Sequence, residues 1–271
     1  MKNRVLAFLV VFGALLCIVA PLAAQDDAGT YFRVALWDVK RTHWSSYEEN
    51  FTKNQKPILD KLFAEGVITE WGITAESIHT EDGYTHATWW SGKDLASLQR
   101  VLDAFGEENE QLSEAERNKR TAELIASIEN HRDILGRSLL FRARSTQTDE
   151  GFSFLSSVQA KPGKGREYRE SWQKRNKATH DRLDEGTILS YGIDVEFIHT
   201  EAPGRITYWR VVPSLEADAK VRAAIRANDT RTREERQAMR QALVVEGSHR
   251  DSMSRIIHYA VKGGEAAPTS P

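Results

Sequence analysis

Cysteine is almost absent from this chain: Cys17 is the only one among 271 residues. A mature protein without Cys17 has no disulfide, no thiol nucleophile and no cysteine metal site, and its folded state must rest on its core. Long hydrophobic runs are also missing. The longest, Val5 to Ala20, has 16 residues, short of the roughly 20 that cross a bilayer. Nor is there a surplus of positive charge. With 37 basic and 39 acidic side chains the formal net charge is −2, which argues against a general nucleic-acid role.

The short apolar run has a different meaning. Lys2 and Arg4 precede it, Pro21 breaks it, and Leu22-Ala23-Ala24 offers a small-residue cleavage site. That order is expected of a secretory signal peptide at residues 1–24, giving a periplasmic or secreted protein with no membrane attachment after cleavage. Leu16 before Cys17 does not suit lipid attachment.

What the chain does contain is a repeat. Ile78-His79-Thr80-Glu81 returns as Ile198-His199-Thr200-Glu201, and Trp71-Gly72-Ile73 matches Tyr191-Gly192-Ile193, at a spacing of 120 residues. Glu76 matches Glu196 and Trp89 matches Trp209 at the same spacing, while His131-Arg132-Asp133 returns as His249-Arg250-Asp251. The period suits a duplicated small domain rather than a solenoid. Charge divides unevenly between the copies. Residues 25–151 carry 15 basic and 23 acidic side chains, and residues 152–262 carry 20 and 15. Complementary potentials favour docking of the halves on one another.

Each half reads as strand, helix, strand, strand, helix, strand. Alternation marks a strand over Tyr31 to Lys40. Ser45 to Glu48 has the form of a capping box, and Pro57 is expected to divide the helix that follows. Strands are expected at Val67 to Thr80 and Tyr84 to Ser91, and Ser113 to Glu116 caps a helix ending near Gly136. The second half repeats the order, with Thr232 to Glu235 as its late cap and Ile256 to Val261 as its last strand. The expected organisation is therefore a first repeat at 25–145, a linker at 146–151, a second repeat at 152–262 and a disordered tail at 263–271. The fold class is α+β: two tandem ferredoxin-like βαββαβ units whose antiparallel sheets pack as an intramolecular α/β barrel.

On the paired strands around Gly72-Ile73 and Gly192-Ile193, and on the Trp89 and Trp209 strands, the chain resembles the dimeric α/β-barrel superfamily. Its members include antibiotic-biosynthesis monooxygenases and chlorite-dismutase relatives. The resemblance runs from about Tyr31 to Val261 and is one of element order, so no catalytic motif is carried over with it. It implies cofactor-independent oxidation or proton transfer, with haem binding through a helical His249 or His131 as a weaker alternative.

Strand parity sorts the candidate site residues. Trp71, Ile73 and Ala75 share one face, expected to lie under the helices. The opposite face shows Gly72 and Glu76 in one copy and Gly192 and Glu196 in the other. Glu76 and Glu196 are the candidate catalytic pair across a cavity, able to share a proton or act as acid and base. The alternative is that each meets an arginine or solvent. A second expected wall of the ligand site is asymmetric, with His86 and Trp90 in one copy against Tyr208 and Arg210 in the other. His79 with His131 and Asp133, and His199 with His249 and Asp251, are expected to be structural polar clusters near helix ends. A histidine–carboxylate metal site remains an alternative to them. The expected function is binding of a small organic ligand between the two sheets, by a monomer or homodimer, with a non-catalytic interaction module as the other class.

Overall fold

A computed structural model describes residues 30–78, 83–175, 186–196, 198 and 203–266. The first repeat contains β1 (Tyr31–Val39), α1 (Trp44–Asn50), α2 (Lys56–Ala64), β2 (Glu70–Glu76), β3 (His86–Gly92), α3 (Leu95–Glu110), α4 (Glu114–Ser127) and β4 (Ile128–Ala143). After the short strand β5 (Thr146–Thr148), the second repeat contains β6 (Phe152–Gln159), α5 (Gly165–Arg175), β7 (Ser190–Glu196) and β8 (Arg205–Val212). It ends with α6 (Leu215–Asn228), α7 (Arg233–Leu243) and β9 (Arg250–Val261), followed by β10 (Gly264–Ala266).

Within each repeat the fourth strand lies beside the first, giving the orders β4-β1-β3-β2 and β9-β6-β8-β7. The repeats then join edge to edge. β2 pairs with β9 and β4 pairs with β7, both antiparallel, so eight strands close into one hydrogen-bonded barrel. Closure removes the open edges that two separate sheets would present. The barrel is therefore sealed by backbone ladders, beyond the face-to-face stacking expected from sequence. β5 adds to β9 and β10 adds to β4, so residues expected to be linker and tail contribute short strands.

Parity divides the barrel as expected. Trp71, Ile73 and Ala75 lie outside under the helices, packed with Leu59, Leu62 and Leu98. Tyr191 and Ile193 do the same in the second repeat, with Trp172 and Val221. Inside the barrel, Trp89, Trp209, Phe141, Tyr259 and Ile256 make the core.

Pro57 divides the helix as expected: a π-helical turn over Phe51–Gln55 separates α1 from α2, and Pro57 falls in the first turn of α2, where its missing donor is harmless. Two local expectations are corrected. No side chain caps α1 at its start, and Ser46 instead donates to the carbonyl of His43. The second concerns His131-Arg132-Asp133: α4 ends at Ser127, and these residues lie on β4 opposite β1, not at a helix end. A β-ladder with a full partner strand overrides the helical reading there. The two late capping boxes, Ser113 with Glu116 and Thr232 with Glu235, are both formed.

Candidate functional site

The space between the sheets is nearly full. Gly72 and Gly192 stand opposite Trp89 and Trp209 on the neighbouring strands. A Cβ on Gly72 would overlap the Trp89 ring, and one on Gly192 would lie 2.8 Å from Trp209 and 2.7 Å from the Leu140 carbonyl oxygen. The repeated glycines thus make room for two indoles rather than for a ligand. Among the described residues, a cavity of about 90 Å³ lies inside, well below the ~150 Å³ that accepts benzene. A ligand of more than a few heavy atoms does not fit between the sheets.

Two carboxyls that sequence reasoning did not single out as site residues line that small cavity, Glu70 and Asp194. Glu70 accepts from Tyr259 Oη at 2.8 Å and from Ser91 Oγ at 3.0 Å, and Ser190 Oγ lies 2.6 Å from the same phenol. Burial pushes the Glu70 carboxyl up to about 7 against those hydrogen bonds. Burial also raises Asp194 to about 7, with the nearby Glu70 charge adding to the rise and Ser138 opposing it. The signal for both was the inner-face alternation Glu70-Gly72-Thr74-Glu76 and Ser190-Gly192-Asp194-Glu196.

Glu76 and Glu196 are buried at 8% and 9% exposure. Glu76 accepts from Ser254 Oγ at 2.7 Å and from the Met253 amide at 3.3 Å, and burial raises its pKa. Neither glutamate borders the 90 Å³ cavity.

His86, Trp90, Tyr208 and Arg210 do not form one wall. His86 and Trp90 are buried on the outer face of the first repeat, His86 between the Trp44 and Tyr47 rings and Trp90 beside Phe105. Tyr208 and Arg210 lie on the outer face of the second repeat, on the other side of the molecule's closed sheet. Residue alternation carries the indoles of Trp89 and Trp209 inward and these four side chains outward.

Tyr208 and Arg210 do line a cavity. A cleft of about 1110 Å³ opens between the outer face of β6 and β8 and helices α5, α6 and α7. Its floor is aromatic and apolar: Phe154, Tyr168, Trp172, Tyr208 and Ile225. The Trp172 and Tyr208 rings sit 4.4 Å apart between centroids. Around them the described lining residues include six cations (Lys161, Arg210, Arg222, Arg233, Arg236, Arg240) against Asp229, Glu246 and Asp251.

The repeat shows how this polarity arose. Asp94 and Ser214 cap equivalent helices, which sets Leu98 against Asp218 and Trp90 against Arg210. The first repeat buries an apolar pair there. The second buries an ion pair: Arg210 Nε donates to Asp218 Oδ1 at 2.8 Å, both residues are at most 6% exposed, and Arg222 Nε reaches Asp218 Oδ2 at 2.5 Å. Both guanidiniums lie over the Phe154 ring, at 5.0 and 5.3 Å from its centroid.

At one end of the cleft, His249 Nε2 is 3.0 Å from Asp251 Oδ1 and 3.1 Å from Ser156 Oγ. The matching cluster in the first repeat is lidded differently. His131 stacks on Trp37 at 4.7 Å, and Asp133 binds Arg33 at 2.8 Å. His79 and His199 lie outside the described residues. Neither His131 nor His249 is helical, so the helical histidine expected as a haem ligand is not formed by either.

No family model matches the sequence, and no curated protein matches it. Among solved structures, a candidate monooxygenase from Lactobacillus acidophilus superposes with a TM-score of 0.60 at 13% identity, over 87% of this chain and 97% of that one. A second candidate monooxygenase, from Fusobacterium nucleatum, gives 0.60 at 11% identity over 88% and 96%. The chain has the ferredoxin-like dimeric α/β-barrel fold. At such identities the likeness shows the fold alone.

Proposed function

We propose that the protein is an exported binder of a small organic acid with an aromatic body, held in the cleft of the second repeat, and that it takes a proton from the bound ligand. The observation that carries this is the joining, in one cleft of about 1110 Å³, of an aromatic floor to a lining that includes six cations and three carboxylates. Ligand pockets are typically ~300–1,000 Å³, mostly apolar, with a few placed polar groups. Arginine forks suit planar anions.

His249 supplies the proton acceptor. With Nε2–H directed at Asp251, the neutral imidazole keeps Nδ1 as its basic nitrogen. Both superposable proteins are candidate monooxygenases, which favours oxidation of the resulting anion by dioxygen, with one oxygen atom entering the ligand, the other leaving as water and the ligand itself supplying the electrons. Export rests on the signal-peptide pattern of residues 1–24.

A naphtholsulfonate is a suitable probe, since it carries a ring, a fixed anion and an acidic hydroxyl whose ionisation shows in its absorption. Titration into the full chain should show saturable binding, weakened about fivefold by Arg233→Gln or Arg240→Gln. His249→Ala should shrink the phenolate band of the bound probe. Binding indifferent to all three variants overturns the proposal.

A further inference from the structure

Three of the six cations lining the cleft are already met by carboxylates. Arg210 and Arg222 share Asp218, and Arg236 lies 4.0 Å from Asp229, which Arg231 holds with two bonds of 2.7 Å. Lys161 donates to the Gln241 carbonyl at 2.5 Å. That leaves Arg233 and Arg240. Both are exposed, and neither forms an ion pair among the described residues.

The two sit on one helix. α7 runs from Arg233 to Leu243, and the step from 233 to 240 carries the chain round almost two full turns. Arg233 and Arg240 therefore share a side of α7, about 10 Å apart along its axis. Gln237, uncharged, lies between them on the cleft. The stacked Trp172 and Tyr208 rings belong to the same cleft.

Helix stability does not account for this placement. Arg233 is the first residue of α7, where a cation opposes the helix dipole and a carboxylate would favour it. The matching capping boxes align Thr232 with Ser113, which sets Arg233 against Glu114 and Arg240 against Thr121. The first repeat thus keeps the favourable acid at the start of its helix. Both unpaired guanidiniums belong to the second repeat alone, the one whose outer face carries the cleft.

We propose that the ligand of this cleft is a dianion, with two acidic groups at opposite ends of an aromatic body, one held by Arg233 and the other by Arg240. The inference rests on the reading of the cleft as a site for an aromatic acid, and it narrows the class of that acid. Guanidinium forks grip planar carboxylates with two parallel bonds. Once one end is held, a rigid body presents the other at high local concentration.

Three probes separate charge from spacing at about pH 8, where their carboxyls are ionised: 2-naphthoate, naphthalene-2,3-dicarboxylate and naphthalene-2,6-dicarboxylate. In calorimetric titration of the full chain, the 2,6 isomer should bind about tenfold more tightly than 2-naphthoate. The 2,3 isomer has the same charge gathered at one end of the ring system, and should gain no more than about threefold. Arg233→Gln and Arg240→Gln should each cut the advantage of the 2,6 isomer to about twofold. Arg226→Gln, on an exposed residue of α6 outside the cleft, should leave it intact. Thermal melts of all three variants should match the parent, because these side chains are exposed. A 2,6 isomer no tighter than 2-naphthoate, an equal gain by the 2,3 isomer, or an advantage that survives either cleft variant overturns the proposal. Binding of none of the three probes overturns the cleft reading itself, and this inference with it.

Discussion

The phenol of Tyr259 donates to Glu70 Oε1 at 2.8 Å across the β2–β9 seam, joining the two repeats inside the barrel. Glu70 is 3% exposed, and burial raises its carboxyl from 4.5 to about 7. The folded state therefore holds a proton that the unfolded state releases at lower pH. Below about pH 4.5 both states are protonated and Glu70 does not oppose folding. As pH rises from there to about 7 the unfolded state is favoured progressively, by about 3 kcal/mol in all. Urea unfolding at pH 5 and pH 8 should show lower stability at the higher pH, and Glu70→Gln should flatten that slope. A slope unchanged in Glu70→Gln would show that the carboxyl is not desolvated.

The paired glycines should respond unequally to alanine. In Gly72→Ala the atoms nearest the new methyl all belong to the Trp89 side chain. In Gly192→Ala it also meets the Leu140 carbonyl, part of a barrel strand. Overpacking of a filled core costs roughly 1–3 kcal/mol. Thermal melts should place Gly72→Ala near the low end and Gly192→Ala at or above the high end.

The buried Arg210–Asp218 pair should be fragile to single changes and tolerant of a matched double change. Asp218→Ala leaves a guanidinium buried beside Phe154 and should lower stability by about 3–5 kcal/mol. Arg210→Trp with Asp218→Leu restores the pair that the first repeat uses at Trp90 and Leu98, and should lose less than either single variant. Chemical denaturation of the three proteins checks this directly.

Much of the architecture was readable because the duplication stated it twice. Strand alternation correctly separated Trp71, Ile73 and Ala75 from Gly72 and Glu76, and the two late capping boxes formed as written. Edge-to-edge closure was not readable, because ladder partners between β2 and β9 leave no periodic mark on either strand. The His-Arg-Asp copies misled for a related reason. Charged, exposed residues at the start of β4 look like the end of a helix until β1 supplies their partner.

The site was readable only in part. Tyr208 and Arg210 stood out because the first copy has Thr88 and Trp90 at the matching positions. Parity alone did not show that His86 and Trp90 face away from the second pair. The arginines of α7 are spaced at 233, 236 and 240, along one helix face. That pattern is also what a solvated helix face looks like, and only the cleft beside it gives it meaning.

Ligand should bind in the cleft and not in the barrel. Tryptophan indole signals in a nitrogen–proton correlation spectrum distinguish the two, since Trp172 lines the cleft while Trp89 and Trp209 line the interior. Titration with a naphtholsulfonate should move the Trp172 signal and leave those of Trp89 and Trp209 in place. Movement of Trp89 and Trp209 with Trp172 unaffected would contradict binding in the cleft.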